Sequence, residues 1–102
     1  MKRVVVRYKV KPDCADENTS LIKAVFEELS QSAPDGIRYA SFVADDGLTF
    51  VHIASIETAD DSNPLAETAA FRAFQKELKN RCDEPPQATW LTEIGSYNFF
   101  GG

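Results

Sequence analysis

Apolar positions recur along this chain with two different periods, and the changes of period divide it into six elements. In Arg3–Val10 they alternate: Val4, Val6, Tyr8 and Val10 fall on one side, Val5, Arg7 and Lys9 on the other. That is a strand with one fully apolar and one mixed face. Lys11-Pro12-Asp13 ends it, because proline has no N–H for a ladder and restricts the residue before it. From about Ala15 to Ser32 the period lengthens, and Leu21, Ile22, Val25, Phe26 and Leu29 form one stripe of an amphipathic helix. Asp13, Asp16 and Glu17 put negative charge at its start, where the helix dipole favours it, and Pro34-Asp35-Gly36 stops it.

Two β-rich runs follow, Ile37–Val43 and Leu48–Ile56, joined by Ala44-Asp45-Asp46-Gly47. Asp-Gly supplies the positive φ that a tight hairpin needs, so this is the most strongly marked local structure in the chain. Its second strand carries His52, the only histidine. After the polar link Thr58–Pro64, the residues Leu65, Ala69, Phe71, Phe74 and Leu78 mark a second helix reaching Arg81. Lys76, Lys79 and Arg81 suit its C-terminal end. Cys82–Pro86 breaks it, and a last strand is predicted over Ala88–Ile94, with a continuation through Tyr97 to Phe100.

This order, βαββαβ, is the α+β ferredoxin-like plan: a four-stranded antiparallel sheet with two helices on one face. Right-handed crossovers place the first and third strands in the middle. The other face is left bare, and an exposed apolar face of that kind marks an interface or a binding site. Trp90, Tyr97, Phe99 and Phe100 strengthen the point, and a homodimer is the expected assembly.

Composition narrows the partners. The 102 residues read as one domain, 1–102, with the apolar and charged content of a soluble globular protein. A formal charge of −5 argues against nucleic acid, which calls for clustered Lys and Arg. No run approaches the roughly 20 apolar residues of a membrane span. Three valines after Arg3 are too few for a signal-peptide core, so the expected location is cytoplasmic. Cys14 and Cys82 stand alone, so no metal site is expected and both thiols should be reduced. The acidic pairs Asp45-Asp46, Asp60-Asp61 and Asp83-Glu84 fall in turns, and neither GxGxxG nor GxSxG occurs.

The segments KVKPD at Lys9–Asp13, ENTSLI at Glu17–Ile22, FVHIASIE at Phe50–Glu57 and FRAFQKEL at Phe71–Leu78 carry a wider likeness. Over nearly the whole chain it resembles the antibiotic-biosynthesis-monooxygenase-like group of the dimeric α+β barrel superfamily. That resemblance implies a dimeric α/β barrel, two sheets facing each other across the dimer axis and enclosing a cavity in each subunit. It also implies oxidation of an aromatic or polyketide-like small molecule by oxygen with no cofactor, whether metal, flavin or haem. An enzyme base or hydrogen-bond acceptor favours the phenolate, and the electron-rich carbanion reacts with oxygen inside an apolar cavity.

His52 is then the candidate catalytic residue, and Tyr8, Tyr39, Phe50 and Trp90 are candidates for substrate binding. Placing Phe50, His52, Ala54 and Ile56 on the cavity face puts Val51, Ile53 and Ser55 under the helices. Arg7 and Arg38 could pair with an anionic substrate, although exposed strand arginines need no such explanation. Haem-degrading relatives use an Asn on the first strand, a Trp near the end of the third and a His in or before the second helix. Residues 3–10 contain no Asn, and Ile56 and Leu65 stand at the other two positions, so haem degradation is rejected. Two non-enzymatic readings stay open: a small-molecule-binding barrel with His52 satisfied by the backbone, and a structural dimer filled by Trp90 and Phe50.

Overall fold

A computed structural model describes residues 2–99. The elements run β1 (Lys2–Val10), α1 (Ala15–Ser32), β2 (Ile37–Val43), β3 (Thr49–Ile56), α2 (Ala69–Lys76), α3 (Leu78–Arg81) and β4 (Cys82–Leu91). The sheet is antiparallel in the order β2-β3-β1-β4, so the first and third strands are central as expected. Helix α1 stops where Ala33 turns left-handed at φ 44° and returns its N–H to the Leu29 carbonyl. In the hairpin, Asp46 accepts from the backbone N–H of Leu48 and Thr49 and from the Thr49 hydroxyl, while Gly47 takes φ 71°.

Two expectations need correction. The second helix is broken at Glu77, whose φ is −115°, and its last turn is the separate α3 that swings Arg81 inward. The last strand begins at Cys82, earlier than predicted, and ends at Leu91 rather than Ile94. Pro85 and Pro86 are tolerated because β4 is an edge strand and its pairing with β1 slips around them. Arg7 pairs with Gln87 but Lys9 with Glu84. Residues 92–99 add no strand, and Phe100 lies outside the described residues.

The sequence leaves the face of His52 open, and the structure puts its row on the helix side, so Val51, Ile53 and Ser55 do not lie under the helices. Val6 lies opposite His52 and Tyr8 opposite Phe50, and this row faces the helices, sharing a core with Ile22, Val25, Phe74 and Leu78. Val51 and Ile53 therefore lie on the open face, beside Val5, Ala40 and Phe42. Both parities of β3 are apolar, so its own pattern cannot choose a face; cross-strand pairing with Tyr8 and Val10, at 1% and 0% exposure, decides it. Ser55 is buried on the open face because Arg3 donates to its hydroxyl, which in turn donates to Glu57.

Helix α2 is seated by α1. Glu28 accepts from the N–H groups of Ala69 and Ala70 at 3.2 and 2.9 Å, and Thr68 Oγ1 accepts from the N–H of Phe71. Negative charge and a hydroxyl cap at a helix start are both stabilising. They aim Phe71 and Phe74 back at the sheet.

Candidate functional site

Polar capacity on the helix-covered face gathers at His52, midway along β3 between Val6 of β1 and Ser41 of β2. Tyr8 lies two residues along β1 from Val6 and Tyr39 two along β2 from Ser41, so the pleat brings both phenols to the same face as the imidazole. Nε2 is 2.7 Å from Tyr8 Oη, and Nδ1 is 2.5 Å from Tyr39 Oη and 2.8 Å from Ser41 Oγ. Each phenol ring is nearly parallel to the imidazole, at 15° and 16°. Among the described residues the ring's hydrogen-bond partners are side chains and not the backbone.

A second layer stands behind Tyr8. Asn18 of α1 donates from Nδ2 to Tyr8 Oη at 2.9 Å, and Arg81 of α3 donates from Nε to Asn18 Oδ1 at 3.1 Å. Arg81 also donates to the Phe74 carbonyl at 2.7 Å and lies over the Phe74 ring at 5.4 Å. Tyr8, Asn18, His52 and Arg81 are all buried, and four elements meet through them.

Burial sets the protonation states. It pushes the His52 pKa down to about 4, so the ring is neutral near pH 7. It pushes Tyr39 up to about 12, a hydrogen bond from Ser41 acting in the opposite direction, and raises Tyr8 as well. The site is therefore a neutral imidazole between two protonated phenols.

A cavity of about 550 Å³ opens between the sheet and α2. Tyr8, Tyr39 and His52 are its polar wall, Val6, Leu65, Phe71 and Phe74 supply apolar surface, and Trp90 stands on it with 64% of its surface exposed. Four of the five sequence candidates thus share one cavity, which lies within a single chain and not on the bare sheet face. Phe50 does not join them: it stacks on Tyr8 at 5.7 Å in the core. Arg38 is paired with Glu57, and Arg7 is exposed on the open face away from this cavity.

Solved structures share this architecture. An antibiotic biosynthesis monooxygenase matches with a TM-score of 0.75 at 16% identity, over 93% of this chain and 100% of that one. Rv0793 from Mycobacterium tuberculosis matches with a TM-score of 0.75 at 18% identity, over 93% and 96%. SnoaB from Streptomyces nogalater, a cofactor-independent oxygenase, matches with a TM-score of 0.68 at 15% identity, over 95% and 96%. The chain has the antibiotic-biosynthesis-monooxygenase fold. No family model matches it, and neither does any curated protein sequence.

Within this monooxygenase fold, sequence reading missed Ser41, Asn18 and Arg81. Asn18 carries a detectable signal: it precedes Ile22 by four residues and Val25 by seven, so it sits on the apolar stripe of α1. Arg81 stands three residues after Leu78 and seven after Phe74, again on an apolar stripe. Among the described residues no cluster of His, Cys, Asp or Glu could hold a metal, and no helix is long and apolar enough to cross a membrane.

Proposed function

We propose that this protein is a cofactor-independent, monooxygenase-like enzyme of the cytoplasm that oxidises an aromatic or polyketide-like phenol in the His52 cavity. The observation that carries the reading is His52 itself: neutral, capped by a tyrosine hydroxyl on each ring nitrogen, and set in the wall of a largely apolar cavity of about 550 Å³. Pockets of roughly 300–1,000 Å³ with a few convergent polar groups suit small organic ligands. The bare sheet face would pair with that of a second copy, giving the homodimeric barrel.

Because hydroxyls cover both nitrogens, a substrate proton reaches the imidazole through a tyrosine. The tyrosine oxygen takes the proton from the substrate hydroxyl as its own proton passes to His52, leaving phenolate and imidazolium. Burial opposes the imidazolium, and an anion alongside favours it. The anion's carbanion form gives its electrons to oxygen, and a C–O bond forms. Loss of water from the resulting peroxide completes the conversion of CH₂ and O₂ into C=O and H₂O. The substrate supplies the electrons, so this route asks for no cofactor.

A second reading has its own support. A histidine held at about 4 is a weak base until an anion arrives, which suits a protein that binds such molecules without turning them over. Oxygen uptake and equilibrium binding with a panel of anthrones and quinols separate the two. Turnover lost in His52→Gln with binding retained supports the enzyme. Binding without oxygen uptake supports the carrier, and no binding at all overturns both.

A further inference from the structure

Arg81 is a cation at 3% exposure whose partners are an amide oxygen, a carbonyl and an aromatic face, with no carboxylate among them. Burying a charge this way costs stability. The guanidinium has one property that a neutral amide or hydroxyl lacks: it can only donate, so its hydrogen bonds cannot reverse. The atom of Asn18 that faces Arg81 must therefore be the carbonyl oxygen, and the amide nitrogen must face Tyr8. Tyr8 Oη accepts from that nitrogen, and the Tyr8 hydrogen then has one acceptor at hand among the described residues, Nε2 of His52. Nε2 is consequently bare, and the neutral ring carries its proton on Nδ1.

We propose that Arg81 and Asn18 are positioning residues that fix His52 as the Nδ1–H tautomer and thereby make Tyr39 a hydrogen-bond donor to the cavity. The hydrogens on the Nδ1 side can be counted. A protonated Nδ1 donates to one of its two oxygen neighbours and accepts from neither, and the Ser41–Tyr39 contact holds one hydroxyl hydrogen, so the other hydroxyl hydrogen finds no acceptor within the group. Nδ1–H and Ser41 serve the Tyr39 oxygen, and the remaining hydrogen belongs to Tyr39, which lines the cavity. The opposite tautomer would absorb one hydroxyl hydrogen on Nδ1 and leave the spare hydrogen on Tyr8 instead, and Tyr8 is 1% exposed where Tyr39 is only half-buried. The site thus selects a ligand with an acceptor oxygen, a carbonyl, enolate or phenolate, against Tyr39. A substrate proton enters through Tyr8, the phenol whose hydrogen already points at His52.

The ligand class rests on the proposed function; the tautomer does not, so the two can fail separately. Long-range ¹H–¹⁵N spectra of the imidazole, recorded on unaltered protein near pH 7, report which nitrogen is protonated. Nδ1 is expected, and a proton on Nε2 overturns the proposal. Asn18→Asp should invert the chain. The carboxylate accepts from both Arg81 and Tyr8, Tyr8 then accepts from Nε2–H, and the nitrogen resonances shift to an Nε2-protonated ring. An Asn18→Asp protein that is folded, by a cooperative thermal melt, but keeps a bare Nε2 also overturns it. If that variant does not fold, neutron crystallography of the unaltered protein decides. Deuterium on Asn18 Nδ2 pointing to Tyr8 and on Tyr8 Oη pointing to Nε2 supports the chain, and any other arrangement refutes it. A ligand that binds only through its own hydroxyl donor would remove the ligand-class step while leaving the tautomer intact.

Discussion

Tyr8 and His52 meet both by face and by edge: their rings lie 5.3 Å apart and nearly parallel, and Tyr8 Oη is 2.7 Å from Nε2. Such a buried pair resists protonation, which has a consequence for stability. The His52 pKa falls from its ordinary 6.5 to about 4 on folding. Between these values the unfolded chain binds a proton that the folded chain does not, so stability is full above 6.5 and declines as the pH drops. Integrated over that window the loss is about 3 kcal/mol. Asp46, held at about 2 by hydrogen bonds from Thr49 and Leu48, acts in a lower window, below its ordinary 3.8. Urea unfolding at pH 7, 5.5 and 4 should show the decline, and His52→Gln should flatten it above pH 4.

The two phenols are not equivalent as supports. Removing the Tyr8 hydroxyl strands both Asn18 Nδ2 and His52 Nε2 in a buried place. Each buried group left without a partner costs about 1–3 kcal/mol. Tyr39→Phe leaves Nδ1 with Ser41 at 2.8 Å, so its cost should stay near or below about 1 kcal/mol. Denaturant midpoints of Tyr8→Phe and Tyr39→Phe, compared at pH 7, test the order. A Tyr39→Phe protein as unstable as Tyr8→Phe would contradict it.

The unequal legibility of this chain has physical causes. The stripe of α1 and the Asp-Gly hairpin are local signals, and the helix and β2 have the bounds that the pattern predicts. The choice of face for β3 is not local. Phe50, His52, Ala54 and Ile56 form one apolar row, Val51 and Ile53 most of another, and only pairing with β1 decides between them. Pro85 and Pro86 look like breakers until β4 is known to be an edge. Asn18 and Arg81 show as polar letters on apolar stripes, but their partners lie 63 residues apart and pattern alone cannot join them.

On the open face, Val5, Val51 and Ile53 are half-buried, whereas Phe42 at 52% and Leu91 at 43% are largely exposed. Ion pairs between Arg3 and Glu93 and between Arg38 and Glu57 flank this patch. An apolar centre with a polar rim is the anatomy of an interface. The unaltered protein is expected to sediment as a dimer. Ile53→Arg, which places a charge at the centre of that face without touching the helix-side core, should give a folded monomer. A monomeric unaltered protein, or a dimer unchanged by Ile53→Arg, would remove this face from the assembly.

Trp90 and Phe74 both line the cavity, yet their substitutions should act on different quantities. Phe74 is 3% exposed and packs against Tyr8, His52 and Phe71 while its carbonyl holds Arg81. Phe74→Ala should cost about 3–5 kcal/mol through lost burial and the void left behind. Trp90, on edge strand β4 with 64% of its surface exposed, contributes little to folding. Its indole can still cover an aromatic ligand, and stacking of that kind is worth about 0.5–1.5 kcal/mol beyond area. Trp90→Ala should therefore leave the denaturant midpoint close to that of the unaltered protein while weakening binding of an anthrone or quinol by roughly threefold to tenfold. Calorimetric titration beside urea unfolding separates the effects. A Trp90→Ala protein that loses stability but binds as before would place the indole in the fold and not in the site.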